Sequence, residues 1–214
     1  MRDRIALIPA YEPDIKMVAM AHELWKSGFL VIVVDDGSSE ACMDYFEDAE
    51  AYAIVLHHEK NLGKGAAIKT GLSYIRCRCA VPSVIVTVDA DGQHRIEDVI
   101  RVAKEAESHP QALVLGSRRM EGEVPLKSRF GNGITRKVFR VVTGKKVYDT
   151  QTGLRAFTEE KLEDMLAIAG SRYEYEMNVL LFAARENIKI TEIEIETIYI
   201  DNNSGSHFNT LKDS

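Results

Sequence analysis

Five short apolar runs, set between helix-periodic segments, constrain this chain more than any other feature. They are Ile5-Ala6-Leu7-Ile8, Leu30-Val31-Ile32-Val33-Val34, Ala53-Ile54-Val55-Leu56, Val84-Ile85-Val86-Thr87-Val88 and Ala112-Leu113-Val114-Leu115. A strand that is apolar on both faces needs cover on both, which is the pattern of a parallel sheet in α/β proteins. The intervening segments supply that cover. Residues 14–27 carry Ile15, Val18, Ala19, Leu24 and Trp25 at helical spacing and stop at Gly28. A second helix follows Asn61-Leu62-Gly63-Lys64-Gly65 and runs to about Arg76, and a third spans 96–107. The expected fold is α/β, with a Rossmann-like, mostly parallel central sheet flanked by helices. Such sheets bind ligands beyond the carboxyl ends of their strands. Polar clusters leave the sheet at that end after Ile8, Val34, Leu56 and Val88.

From residue 128 onward the pattern changes. A basic amphipathic helix is expected over 128–143, short helices over 159–168 and 175–187, and a final strand pair over Ile188 to Ile200. With no internal repeat and no linker-like tract, the 214 residues read as one domain with a functional division near residue 118.

Charge narrows the function. The net charge of −6 argues against a general nucleic-acid binder. Yet Arg118 to Lys146 carries +7, which leaves −13 on the remainder. A local basic field in an acidic chain calls for an anionic partner. Three cysteines, Cys42, Cys77 and Cys79, without paired spacing fit a reducing cytosol. Met1-Arg2-Asp3-Arg4 leads straight into the first strand with no signal peptide, and no apolar stretch approaches the roughly 18 residues of a membrane span.

Asp89-Ala90-Asp91-Gly92-Gln93-His94 follows the fourth run. Side chains two apart on an extended chain point the same way, so Asp89 and Asp91 can converge on one point. Paired carboxylates suit a hard divalent cation, Mg²⁺ or Mn²⁺, which completes its shell with water and phosphate oxygens. Asp and Gly are also common turn formers, so a plain turn is the competing reading of these residues. For Asp35-Asp36-Gly37-Ser38 the competing reading is a turn with a helix cap, and for Lys64 a surface lysine at a helix start.

Pro9-Ala10-Tyr11-Glu12, Val34-Asp35-Asp36-Gly37-Ser38, Asn61-Leu62-Gly63-Lys64-Gly65-Ala66-Ala67 and the Asp89–His94 segment lie in an order and spacing that resembles the family 2 glycosyltransferases of the GT-A fold. Gly116-Ser117-Arg118, Ser128-Arg129-Phe130-Gly131-Asn132, Asp149-Thr150-Gln151-Thr152-Gly153-Leu154-Arg155, and Asn202-Asn203 with Ser206-His207-Phe208 resemble one branch of it. That branch holds the dolichyl-phosphate mannosyltransferases and bacterial polyprenyl-phosphate glycosyltransferases.

The resemblance implies a nucleotide-sugar half over 1–117 and an acceptor half over 118–214. It implies donor contacts from Pro9, Ala10, Tyr11, Glu12, Asp36, Gly37, Lys64, Asp89 and Ala90. Asp36 would meet the base and Lys64 the diphosphate, with Gly63 and Gly65 allowing a tight loop-to-helix entry. Asp89, Asp91 and Gln93 would hold Mg²⁺ or Mn²⁺. Arg118, Ser128, Arg129 and Arg155 would grip the phosphate of a lipid acceptor, guanidinium groups being suited to paired hydrogen bonds with phosphate. Asp91, Arg118 and Arg129 would carry the chemistry. Glu174 or Glu176 would orient the donor sugar, or Glu176 would cap a helix. Arg136, Lys137 and Arg140 would face anionic lipid head groups.

The implied reaction moves a hexose with inversion from a nucleoside diphosphate sugar to a polyprenyl or dolichyl phosphate. UDP-hexose is favoured as donor, with GDP-mannose second. Two alternatives stand beside it: a family 2 enzyme acting on a polysaccharide or glycan hydroxyl, and a non-catalytic nucleotide-sugar-binding module. The expected setting is cytoplasmic, peripheral to the membrane face, with a homo-oligomer left open. Relatives of this branch often continue into further helices, some transmembrane, whereas this sequence stops at Ser214.

Overall fold

The computed structural model describes residues 3–78, 83–118, 136, 137 and 139–196. The elements run β1 (Asp3–Ala10), α1 (Ile15–Lys26), β2 (Leu30–Asp35), α2 (Met43–Ala49), β3 (Ala53–His57), α3 (Lys64–Arg78), β4 (Ser83–Thr87), α4 (Ile96–Ser108), β5 (Leu113–Arg118), β6 (Arg155–Thr158), α5 (Leu162–Ala167), α6 (Glu174–Arg185) and β7 (Ile190–Ile195). The sheet order is β3-β2-β1-β4-β6-β5-β7. Strands β1 to β4 pair in parallel, and β7 is parallel to β5. Only β6 runs against its neighbours, antiparallel to both β4 and β5. The expected mostly parallel sheet is therefore present.

The apolar runs are buried on both faces because successive side chains go to opposite layers. Ala6 and Ile8 pack with Val31, Val33, Val84 and Val86 under α1, α2 and α4. Ile5 and Leu7 pack with Ile32, Val34 and Ile85 under α3, α5 and α6. Helix α1 starts where expected: Asp14 caps it by accepting the Lys16 N–H at 2.8 Å. Its inner face is shifted from the expected one, since Met17, Met20, Ala21 and Leu24 are buried while Ile15 and Trp25 are exposed.

Other expectations shift more. Strand β6 has no apolar run to announce it. The expected strand pair at the end is one strand, β7, within the described residues, and residues 197–200 lie outside them. Of the expected basic helix, residues 136, 137 and 139–143 are helical and the rest lies outside the described residues.

The topology gathers one end of the sheet. The carboxyl ends of β1, β2, β3, β4 and β5 (Ala10, Asp35, His57, Thr87 and Arg118) share that end. Because β6 is antiparallel, its first residue, Arg155, arrives there too.

Candidate active site

Thr87 ends β4, and its hydroxyl donates to the Gly153 carbonyl at 2.9 Å, tying the Asp89 loop to the segment entering β6. Asp89 lies across Gly153 so closely that a Cβ there would stand 2.2 Å from both carboxylate oxygens. Only a residue without a side chain leaves that room. Gly153 thus determines where Asp89 sits.

Asp89 and Glu176 meet on the ammonium of Lys64. Lys64 Nζ, from the first turn of α3, lies 2.7 Å from Asp89 Oδ1. The same ammonium donates to both carboxylate oxygens of Glu176 at 3.0 Å. Burial works against the Lys64 charge, but Asp89 and then Glu176 outweigh it and raise its pKa. Burial likewise works to raise Asp89, and Lys64 with His94 reverses this and holds the carboxyl well below the usual range. Asp91 responds oppositely: burial first, then the charge of Asp89, pushes its carboxyl up. Asp91 Oδ1 accepts the Gln93 N–H at 3.0 Å. The buried His94 ring places Nε2 3.5 Å from Asp89 Oδ2, and that nitrogen has no hydrogen-bond partner. Lys64 thus pairs with two carboxylates, Asp89 and Glu176, and Asp91 lies within reach of the charge of Asp89.

The neighbouring strand ends build a loop around this cluster. Glu12, with a positive φ of 49°, accepts the Ser39 N–H at 2.7 Å and its hydroxyl at 2.9 Å. Its own N–H donates to Ser38 Oγ at 2.9 Å. The loops after β1 and β2 are thereby joined beside Tyr11, which is 41% exposed. Gly37, at φ +72°, passes so near the Lys60–Asn61 peptide that a Cβ would stand 2.2 Å from the Lys60 carbonyl carbon.

Asp36, expected at the base, has internal partners in the structure. This buried carboxylate accepts the N–H groups of Leu62 at 2.9 Å and Gly63 at 2.8 Å, and pairs with His58 Nδ1 at 2.8 Å. These bonds shape the entry to α3. His58 continues the chain to Thr70 Oγ1 at 2.9 Å, and His57 pairs with Asp35 at 2.9 Å. Neither histidine stood out in the sequence, where His57-His58 simply follows an apolar run. Gly63 completes the expected tight entry at φ +105°, and the Ala66 N–H donates to the Ser171 carbonyl.

On the other side, Arg118 closes a fork on Asp149, with Nε–Oδ2 at 2.7 Å and Nη2–Oδ1 at 3.3 Å. Asp149 is fully buried. Glu192 on β7 organises this corner by accepting the Ser117 hydroxyl at 2.6 Å and the Tyr148 and Asp149 N–H groups. Glu192 is a participant the sequence did not reveal, because alternation marked β7 only by its isoleucines.

Arg155, expected at the acceptor phosphate, also has internal partners. It is buried, and its guanidinium donates to the carbonyls of Thr152, Thr150 and Glu176. These bonds to main-chain oxygens brace the turn before β6. Glu174 accepts the N–H groups of Ser171 and Arg172 in the turn ahead of α6, and Glu176 pairs with Lys64. Ser128 and Arg129 lie outside the described residues. No helix among the described residues is long and apolar enough to cross a membrane.

With this geometry in view, the chain matches the family described as glycosyl transferase family 2 over residues 16–166. It is 29% identical over 217 residues to the UDP-N-acetylglucosamine–dolichyl-phosphate N-acetylglucosaminyltransferase of Methanococcus voltae, covering 91% of this chain and 85% of that protein. It is 27% identical over 217 residues to a dolichyl-phosphate beta-glucosyltransferase of Trichomonas vaginalis, covering 89% and 64% respectively. Among solved structures, glucosyl-3-phosphoglycerate synthase from Mycobacterium tuberculosis, in complex with Mn²⁺, UDP-glucose and phosphoglyceric acid, has a TM-score of 0.69. That match covers 95% of this chain and 74% of the synthase at 19% identity. Sheet, strand-end site and structural likeness together define a GT-A-like α/β protein. The chain belongs to glycosyltransferase family 2, and it is accordingly a transferase enzyme.

Proposed function

We propose that the enzyme transfers a hexose, with inversion, from a nucleoside diphosphate sugar to a polyprenyl or dolichyl phosphate. A UDP-hexose is the favoured donor and GDP-mannose the second. The observation that carries this reading is the charged cluster of Asp89, Asp91, Lys64 and Glu176 beyond the end of β4, a strand separated in the sheet only by β6 from β5, which ends at Arg118. The names of the two relatives above, both dolichyl-phosphate sugar transferases, support the acceptor class.

Among the described residues no three His, Cys, Asp or Glu side chains are already gathered as a metal-binding group, but Asp89 and Asp91 offer hard oxygen donors of the kind a divalent cation takes. Asp89 and Asp91 lie close enough that burial and then the charge of Asp89 push the Asp91 carboxyl up, with Lys64 the direct ion-pair partner of Asp89. His94 adds a buried nitrogen without a partner at the same place. Asp89, Asp91 and Gln93 would hold Mg²⁺ or Mn²⁺ through hard oxygen donors. When bound, the metal neutralises charge that grows on the departing nucleoside diphosphate.

The chain's own groups do the rest. Lys64 stands at the amino end of α3, where the helix dipole and the ammonium together favour a diphosphate. Tyr11 and the Glu12–Ser39 bridge line the donor side. Arg118, oriented by Asp149, and Arg129 meet the acceptor phosphate. A phosphate monoester, with a second pKa of about 6, is already largely dianionic near neutral pH. Its oxygen attacks the anomeric carbon directly, so no carboxylate base is required. Glu176, bonded to Lys64 through both oxygens, is consistent with that. Because the acceptor is a lipid, the enzyme works peripherally at a membrane surface.

The test offers polyprenyl phosphate and a glycan acceptor in parallel, with UDP- and GDP-hexoses and Mn²⁺. Lipid-linked hexose is the expected product. Glycan product without lipid product would replace this reading by the hydroxyl-acceptor one. Tight nucleotide-sugar binding without turnover on either acceptor would replace it by the binding-module reading.

A further inference from the structure

Next to the Arg118 corner the described residues expose apolar side chains. Val141 is 85% exposed, Val142 67% and Tyr148 54%. The segment is not free to turn them inward. Phe139 and Val147, at its two ends, are buried in the core. The Gly144 N–H closes the helical turn on the Arg140 carbonyl at 2.8 Å, and the Thr143 hydroxyl donates to the Phe139 carbonyl at 2.7 Å. With Phe139 facing in, the next three residues of the turn face out.

Cations rim these side chains. Lys137, Arg140 and Val141 share one helix face by their i, i+3, i+4 spacing. Arg136 and Lys146 lie over the Tyr148 ring, 5.6 Å and 4.9 Å from its centroid. Lys145 completes five basic residues between 136 and 148, a stretch with no acidic residue in a chain of net charge −6. Tyr148 is followed directly by Asp149, the partner of Arg118. Apolar side chains that project from a basic rim match the boundary between acyl chains and anionic head groups.

We propose that Val141, Val142 and Tyr148, rimmed by Arg136, Lys137, Arg140, Lys145 and Lys146, form a surface that docks on an anionic lipid bilayer. This rests on the proposed lipid acceptor, since docking here would bring the head-group layer beside Arg118. The valines enter the upper acyl region, and the five cations hold the head groups. Each basic residue near an anionic surface strengthens binding by roughly fivefold.

The test is co-sedimentation of the full chain with phosphatidylcholine vesicles, with and without 30% phosphatidylglycerol as the molar fraction, a composition on the order of anionic cytoplasmic leaflets. No donor sugar and no polyprenyl phosphate are present. The expected result is at least tenfold stronger binding to the anionic vesicles, weakened by salt. Val141→Asp with Val142→Asp should lower it about tenfold or more, since the acyl contact is replaced by like-charge repulsion. Lys137→Glu with Arg140→Glu should do the same. Both valine positions are exposed, so melting temperature and transfer to a short-chain, water-soluble prenyl phosphate should stay as in the parent. Equal pelleting with neutral and anionic vesicles overturns the proposal. So does a valine variant that binds like the parent while the Lys137/Arg140 variant does not, which would mark a plain polyanion site. Vesicle binding with no sugar transfer would overturn the proposed reaction and leave the docking surface standing.

Discussion

Lys64 Nζ sits 2.7 Å from Asp89 Oδ1, so the cation that would meet the donor diphosphate is already paired with a carboxylate assigned to the metal. The protein therefore carries its own counter-charge at the site. On the proposed assignment, a metal and Lys64 would compete for Asp89. Lys64→Met should lose transfer activity yet bind Mn²⁺ more tightly than the parent in the absence of nucleotide, as read by calorimetry. It should also lose about 2 kcal/mol in urea unfolding. The loss is smaller than for a fully buried pair because 28% of the Asp89 side chain stays exposed. Weaker Mn²⁺ binding would contradict the competition.

Asp89 and Asp91 should respond to pH in opposite senses. Burial alone would raise Asp89, but Lys64 and His94 depress it below its unfolded value. Its ion-pair stabilisation is present above about pH 4 and is lost as pH falls through the depressed value. Asp91 is raised, by burial and then by Asp89, so its ionised form costs stability at neutral pH. Asp91→Asn should therefore raise the melting temperature of metal-free protein, by an amount worth about 1 kcal/mol. A lower melting temperature would show that Asp91 makes a stabilising bond not recognised in this account.

Asp36 separates a structural role from a donor contact. It accepts two main-chain N–H groups and pairs with His58. Asp36→Asn cannot accept all three, and should cost about 2 kcal/mol, the range of hydrogen bonds to a charged group. UDP and GDP binding, measured by thermal shift, should weaken alike. A change in preference between the two bases would restore Asp36 to the base site.

Gly153→Ala tests how Asp89 is placed. The added Cβ would stand 2.2 Å from both Asp89 oxygens. The carboxylate can swing away, so the fold should survive with a loss of about 1–3 kcal/mol, as for other overpacked sites. Mn²⁺ binding and transfer should both fall at least about a hundredfold, the scale of a misplaced reacting group. Normal Mn²⁺ binding in this variant would show that Asp89 is not a ligand.

The first half of the molecule was legible because burial on both faces leaves continuous apolar runs, and those runs place Asp36 and Asp89 at strand ends. Strand β6 escaped because Arg-Ala-Phe-Thr carries no such run. Its identity as a strand depends on two antiparallel partners far away in sequence. The same blindness affected Arg155, Asp36 and Glu192. Sequence shows that a charge exists near a site but not which side chain it faces, and all three are used internally. The Lys64–Glu176 pair spans 112 residues and had no local signal.

The most direct test of the central claim is mass analysis of the lipid fraction after incubation with UDP-glucose, Mn²⁺ and polyprenyl phosphate. Parent enzyme should yield polyprenyl phosphate bearing one hexose, and no such product should form after chelation or in Asp91→Ala. An Asp91→Ala enzyme that makes the same lipid at the parent rate would contradict the account of how this site works.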